Sequence, residues 1–117
     1  MKKAEAKVRA FLQAWKDQNW LTMFRTTQLT WREDHGDERL HELFGAFPIE
    51  GYEIKKVEES SNYVVADVVF RVKVNGQWTA PAKARAICEK KAFTPDKYGT
   101  WGVNPTSALR IFNKAKV

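Results

Sequence analysis

The first part of the chain repeats its hydrophobic residues with the period of an α-helix. Positions that are three, four and seven residues apart lie on one side of a helix, so such a repeat forms an apolar stripe. The stripe predicts a first helix over about residues 4–17. The residues that form it are Val8, Phe11, Leu12 and Trp15.

Two shorter helices are predicted to follow. The second starts behind Asn19, a residue type whose side chain caps helix N-termini. The third starts near Asp37 and ends where Gly45 and Pro48 interrupt the pattern. The spacing is carried by Trp20, Met23, Phe24 and Thr27 in the second helix, and by Leu40, Leu43 and Phe44 in the third.

After Pro48 the hydrophobic period changes to two, as in β-strands. Short segments rich in turn residues separate the apolar runs, and short connections make consecutive strands antiparallel neighbours. The predicted fold class is therefore α+β, with two to three N-terminal helices packed on an antiparallel sheet. The predicted strands are Tyr52–Glu59, Tyr63–Val74, Trp78–Phe93 and Thr100–Val103, the last of which could continue through Phe112.

The register of the central hairpin follows from the even-numbered positions of its two strands, which are apolar from Val64 to Val74 and from Trp78 to Cys88. A three-residue loop with Gly76 in the left-handed conformation pairs even positions with even ones, whereas a two-residue loop would mix the faces. Pro81 marks an edge or a bulge, which would shift the parity near it. The expected pairs are Val72 with Ala80, Phe70 with Ala82, Val68 with Ala84, Ala66 with Ala86 and Val64 with Cys88, and on the other face Asp67 with Arg85, Val65 with Ile87 and Tyr63 with Glu89.

The alanines of this apolar face leave room for a bulky group. Close packing of protein interiors favours filling by Phe11 and Trp15 of the first helix over filling by a ligand. Asp67 is expected on the opposite face, in an ion pair with Arg85. The inner face of the two central strands is therefore expected to contain almost no ionisable group.

Composition limits the classes of protein further. The 117 residues, 44% of them hydrophobic, suit one domain over residues 1–117 with a single core. The lone Cys88 cannot form an internal disulfide, so a reducing, cytoplasmic compartment is expected. No apolar stretch approaches the roughly 20 residues of a membrane span. The net charge of +6 allows an anionic partner, but basic and acidic residues are interleaved and no nucleic-acid-binding signature is present.

The order of the elements, helices and then a curved antiparallel meander, resembles the nuclear transport factor 2 (NTF2)-like superfamily, which has a cystatin-like fold. The opening KVRAFLQAWKDQNWLTMF is similar to the first two helices of that family, and YGTWGV to the glycine–tryptophan signature of its last strand. The resemblance covers about residues 4–103. Residues 104–117 either continue the last strand past a bulge at Pro105 or form a short helix capped by Thr106 or Ser107.

The resemblance implies a cone, in which the first helix packs on the concave sheet face and a pocket opens between helices and sheet. A small apolar molecule would be the ligand of such a pocket. The opposite sheet face, where Val65, Val69 and Ile87 are expected, would form a homodimer or bind a protein partner. The residues expected to line the pocket are Phe11, Trp15, Trp31, Tyr52, Phe70, Trp78 and Trp101.

Enzymes of this superfamily commonly use a pair of ionisable side chains inside the pocket for proton transfer. Because the predicted inner face lacks such a pair, the sequence favours a domain that is not an enzyme. The candidate catalytic residues that remain are His35, Tyr52 and Asp37. The spacing of His35, Asp37 and His41 matches no metal-ligand pattern and is more simply a charged helix start with Asp37 as its cap. No motif indicates a cofactor.

Three functions stay open on this basis. The first is a non-catalytic domain that binds a small apolar ligand or a protein partner. The second is a small acid–base enzyme, an isomerase, dehydratase or cyclase, that uses His35 or Tyr52 with a nearby carboxylate. The third is an accessory module of a larger assembly that engages an anionic partner through a basic outer sheet face. The basic residues expected on that face are Arg71, Lys73, Lys83 and Arg85.

Overall fold

A computed structural model of the chain describes residues 2–90 and 94–110. Within these ranges, four α-helices pack on a curved, four-stranded antiparallel sheet, which confirms the predicted α+β class. The elements are α1 (Lys2–Asp17), α2 (Trp20–Arg25), α3 (Leu29–Asp34), α4 (Asp37–Phe44), β1 (Ile49–Glu59), β2 (Tyr63–Val72), β3 (Ala82–Glu89), β4 (Thr100–Asn104) and a 3-10 helix (Pro105–Leu109).

The helix starts follow the sequence signals in part. Asn19 caps α2 as predicted, because its Oδ1 accepts a hydrogen bond from the backbone N–H of Thr22 at 3.2 Å. The prediction of Asp37 as a cap is wrong, since Asp37 is the first residue of α4 and Gly36 occupies the cap position without a side-chain bond. Helix α3 was not predicted. None of its residues is buried, so it has no apolar stripe to reveal it.

The sheet has the order β1-β2-β3-β4, as expected for a meander with short connections. A short segment before α3 adds to its β4 edge: the N–H of Gln28 donates to the carbonyl of Val103 at 2.9 Å, and the N–H of Val103 donates to the carbonyl of Thr26 at 2.8 Å. Gly102 makes this approach possible, because a Cβ there would lie 2.4 Å from the Cα of Gln28. The β4 edge of the sheet is therefore covered by the chain itself.

The predicted pairing of even with even positions in the central hairpin is confirmed, but the register is shifted by two residues. Val68 pairs with Ala82 rather than Ala84, and the next two pairs move in the same way. Arg71 bridges Trp78, so one strand advances three residues from that bridge to the Val68 pair while the other advances four. The extra residue falls beside Pro81, where a bulge was anticipated.

The bulge changes which residues share the outer face. Trp78 lies beside Arg71 on that face and is 48% exposed, so its predicted inner position is wrong. Asp67 lies on the outer face as predicted, but its partner is Lys83 and not Arg85. Gly76 has a φ of +66°, the left-handed conformation expected for the loop. The other two outer pairs are Val65 with Arg85 and Tyr63 with Ile87.

The aromatic residues of α1 fill the concave face of the sheet, as close packing predicted. Phe11 and Trp15 are fully buried. The Trp15 ring lies 4.7 Å from the Phe70 ring and 4.8 Å from the Phe44 ring, measured between centroids. Its indole N–H donates to the carbonyl of Phe47 at 3.0 Å. The alanine-lined space is thus occupied by side chains of the chain itself.

The end of the described chain forms a short helix, one of the two alternatives. The 3-10 helix begins at Pro105, with Asn104 at the cap position and no side-chain cap. Ser107 Oγ accepts a hydrogen bond from the N–H of Arg85 at 3.0 Å, which ties the helix to the start of β3. The predicted continuations of the strands to Phe93 and Phe112 lie outside the described residues. Within residues 2–90 and 94–110, none of the helices is long and apolar enough to cross a bilayer.

Candidate functional site

An open groove of about 530 Å³ lies between α1 and the start of β4. The α1 residues of the groove are separated by three, four and seven positions, so they form one side of the helix. This side differs from the stripe that packs on the sheet, and its two alanines are exposed. The groove is lined by Lys3, Ala6, Lys7, Ala10, Gly99, Thr100 and Trp101.

Trp101 supplies the aromatic wall of this groove. It lies on β4 opposite Cys88 and is only 7% exposed, so neighbouring elements hold its ring. Gly99 lets the preceding turn come close to β3, because a Cβ at this position would lie 2.3 Å from the carbonyl oxygen of Glu89. The wall is therefore positioned by the sheet and by a turn that only glycine fits.

The charged side chains that the described residues contribute to the groove are both positive. Lys3 and Lys7 are one helical turn apart, and none of the described lining residues is an aspartate or a glutamate. Within the described part of the chain, neither ammonium group takes part in an ion pair or a side-chain hydrogen bond. The groove thus combines an alanine and tryptophan surface with two cations that have no partner among the described residues.

The residues predicted to line a pocket are divided among several places. Phe11, Trp15 and Phe70 come together, but they are buried against one another in the core. Trp101 reaches the groove. Trp78 is on the outer face, and Trp31 on α3 stacks against His35 with ring centroids 4.4 Å apart. The remaining one, Tyr52, donates its hydroxyl hydrogen to Gln13 Oε1 at 3.0 Å.

The candidate catalytic residues are engaged in separate contacts. His35 Nδ1 lies 3.0 Å from the carbonyl oxygen of Trp31, and Tyr52 is tied to Gln13 of α1. Asp37 starts α4, and one turn later His41 stacks on Trp20 with centroids 5.2 Å apart. None of these contacts joins two of the candidates. Among the described residues, no group of three His, Cys, Asp or Glu side chains is arranged to hold a metal ion.

Glu89 is a buried carboxylate that sequence patterning missed. It is 3% exposed although strand alternation places it on the outer face. Its Oε1 accepts hydrogen bonds from Gln28 Nε2 at 2.8 Å and from Thr30 Oγ1 at 2.7 Å, and its Oε2 accepts from the N–H of Thr30 at 2.8 Å. The carboxylate thereby fixes the start of α3 to the sheet. These contacts stabilise the fold, and Glu89 is not one of the residues that line the groove.

The basic outer face is partly neutralised. Lys83 Nζ lies 2.9 Å from Asp67 Oδ1, and Arg71 Nε lies 2.7 Å from Glu50 Oε1. Arg85 is without an acidic partner among the described residues and lies over the ring of Tyr63 at 5.9 Å. The apolar residues expected there are present, with Val65 and Ile87 half-buried and Val69 9% exposed. A homodimer or protein partner on this face stays a prediction.

Cys88 is fully buried between the sheet and α1, and burial raises the pKa of its thiol. Since the thiolate is the reactive form, both effects should suppress its chemistry. We expect native protein at pH 8 to react with iodoacetamide at least about a thousandfold more slowly than a free thiol, because labelling must wait for opening of the core. The rate should rise steeply across a urea transition. Labelling of the native protein at the rate of glutathione would contradict this burial.

No protein-family model and no curated protein matches this sequence. The resemblance of its element order to the NTF2-like superfamily therefore stays a proposal. The groove beside α1 is the candidate site, because it combines an apolar lining with two lysines that have no partner among the described residues.

Proposed function

We propose that this chain is a non-catalytic NTF2-like domain that binds a small, mainly apolar molecule in the groove between α1 and β4. The observation that carries the proposal is the groove itself, with exposed Ala6 and Ala10 on one side and the held ring of Trp101 on the other. Helices followed by a curved antiparallel meander support the family resemblance.

The packing of the concave face supports surface binding over binding inside the cone. Trp15 occupies the position at which a ligand would lie between helix and sheet, in contact with the rings of Phe44 and Phe70. Removing these side chains from the interior would expose apolar surface to water, at about 1.5–3 kcal/mol for each large side chain. A ligand that binds without this cost has to use a space that is already open.

The separation of the ionisable candidates supports a non-catalytic domain. Acid–base catalysis by a pair of side chains needs both groups within hydrogen-bond reach of one substrate. His35 lies against α3 and Tyr52 is bonded to α1, and neither lines the groove. An acid–base enzyme using these residues would need a rearrangement of both contacts, so we favour the binding role.

The dimensions and surface of the groove suit a small ligand. Sites for small molecules usually have volumes of about 300–1,000 Å³ and are lined mainly by apolar groups. The groove, at about 530 Å³, lies within this range. The small side chains at positions 6 and 10 create the space, and Trp101, which is 7% exposed, adds a small apolar area to the opposite wall.

Filling the groove should abolish binding. We expect 1-octanol, a neutral apolar probe, to bind the wild-type protein, and Ala10→Leu to weaken that binding at least about tenfold, because the larger side chain occupies the apolar volume. Leucine is nearly as good a helix former as alanine, so α1 should be preserved. Calorimetric titration would measure both affinities.

The matched control introduces the same side chain elsewhere. Thr22→Leu places a leucine on exposed α2, outside the groove, and should leave octanol binding within about twofold of wild type. Octanol that does not bind at all, or that binds Ala10→Leu as well as wild type, would refute the groove as the ligand site.

A further inference from the structure

We infer that the molecule bound in this groove is an anionic amphiphile, an apolar chain or ring that carries one carboxylate. This inference rests on the proposed function and names the chemical class of its ligand. The feature that carries it is the pair of lysines, Lys3 and Lys7, at the border of an otherwise apolar groove.

Both lysines are available for an anion. They lie on the same side of α1 as Ala6 and Ala10, and neither ammonium has an ion pair or side-chain hydrogen bond within the described residues. Lys3 is exposed and Lys7 is half-buried, so their aliphatic stems can lie along the apolar wall while the charged ends stay in water. A carboxylate beside them would gain two charge-assisted contacts.

The spacing of the two lysines adds to this preference. Lys3 and Lys7 are four residues apart on α1, so two like charges lie next to each other at the groove. Like charges at this spacing repel each other, and a bound carboxylate would relieve that repulsion.

An extended polyanion fits this site less well than a single anionic group. The surface between the lysines is formed by alanine, and the opposite wall is Trp101. None of the described residues that line the groove is an arginine, so they do not form the planar, bidentate arrangement that favours phosphate. The charge is confined to one border, and the remainder of the ligand meets apolar atoms.

The test compares three probes that share one apolar chain and differ in the charge of the head group: octanoate, 1-octanol and octylammonium. At pH 7 and low salt, we expect octanoate to bind the wild-type protein about fivefold more tightly than octanol, the combined effect of two exposed ion pairs, and octylammonium to bind most weakly. The preference for octanoate should shrink as salt is added.

Two variants distinguish the contribution of the two lysine charges from that of the apolar groove. The double variant Lys3→Gln with Lys7→Gln should bind octanoate and octanol equally, because octanoate loses more affinity than octanol when the two charges are removed. Lys16→Gln removes one exposed charge from the same helix outside the groove and should keep the preference. Far-UV circular dichroism confirms that each variant is folded.

The outcomes distinguish the two proposals. Equal binding of octanoate and octanol to the wild-type protein would overturn the anionic ligand but leave the groove intact as an apolar site. An octanoate preference that survives in the double lysine variant would also overturn it. Failure of all three probes to bind would overturn the proposed function, and the anionic ligand with it.

Discussion

Replacing Trp15 by alanine is expected to lower the free energy of unfolding by about 3–5 kcal/mol, the range for truncating a large aromatic side chain in a core. Trp15 is fully buried and contacts the rings of Phe44 and Phe70. The variant also leaves the carbonyl of Phe47 without its indole donor. Urea unfolding followed by far-UV circular dichroism would measure the loss.

Trp78→Ala is the matched control, since the same truncation is made at a tryptophan that is 48% exposed on the outer face. Its cost should be about 1 kcal/mol or less. If Trp15→Ala does not fold, Trp15→Phe keeps most of the packing and should lose only about 1–2 kcal/mol, mainly with the Phe47 bond. Equal destabilisation by Trp15→Ala and Trp78→Ala would show that the concave face is not filled as described.

The contrast between Trp15 and Trp78 shows how much of the fold the hydrophobic pattern of the sequence can predict. Hydrophobic period located α1, α4 and the central strands, because amphipathic elements must bury one side. It also gave the parity of the central hairpin, since an odd slip would expose an entire apolar face. A slip of two keeps every residue on its face, so pattern alone could not separate the Val68–Ala84 pair from the observed Val68–Ala82 pair.

The position of Trp78 depended on a local backbone feature. Pro81 has no N–H to donate, and the bulge beside it reverses the alternation only for residues on the loop side. Even so, Thr79 keeps its contact with Phe70, donating its N–H to the Phe70 carbonyl at 2.8 Å. Pro81 indicated a bulge in this strand, but the residues that the bulge turns to the outer face depend on how the loop closes.

Of the described residues that line the groove, only Trp101 was among the predicted pocket residues. Trp101 was identified as a pocket residue because it is a large aromatic in the last strand. Lys3, Ala6, Lys7 and Ala10 read from sequence as an ordinary exposed helix face. They become a groove because β4 packs alongside that face of α1, and this packing depends on contacts distant in sequence.

Glu89 illustrates the same limit, and it allows the second strong prediction. Alternation along β3 indicated a solvated glutamate, but Gln28 and Thr30 at the start of α3 bond to its carboxylate, and Glu89 is only 3% exposed. Glu89→Ala should lower the free energy of unfolding by about 2–4 kcal/mol, because the N–H and hydroxyl of Thr30 and the amide of Gln28 lose a charged acceptor in a buried place. Chemical denaturation would give the loss.

Two further glutamate variants distinguish the loss of the Glu89 hydrogen bonds from a general effect of removing a negative charge. Glu89→Gln should fall between wild type and alanine, because one oxygen can still accept while the new amide NH₂ opposes a donor. Glu58→Ala removes an exposed glutamate that pairs with exposed Lys56, and it should cost about 0–1 kcal/mol.

Hydrogen exchange gives a local readout of the same network. Loss of the carboxylate should reduce protection of the Thr30 amide more than that of the β2 amides, because the start of α3 is released before the sheet opens. A Glu89→Ala protein as stable as Glu58→Ala, with the Thr30 amide still protected, would contradict the role assigned to this carboxylate. The expected result would show that one glutamate holds α3 in place, although none of the residues of α3 is itself buried.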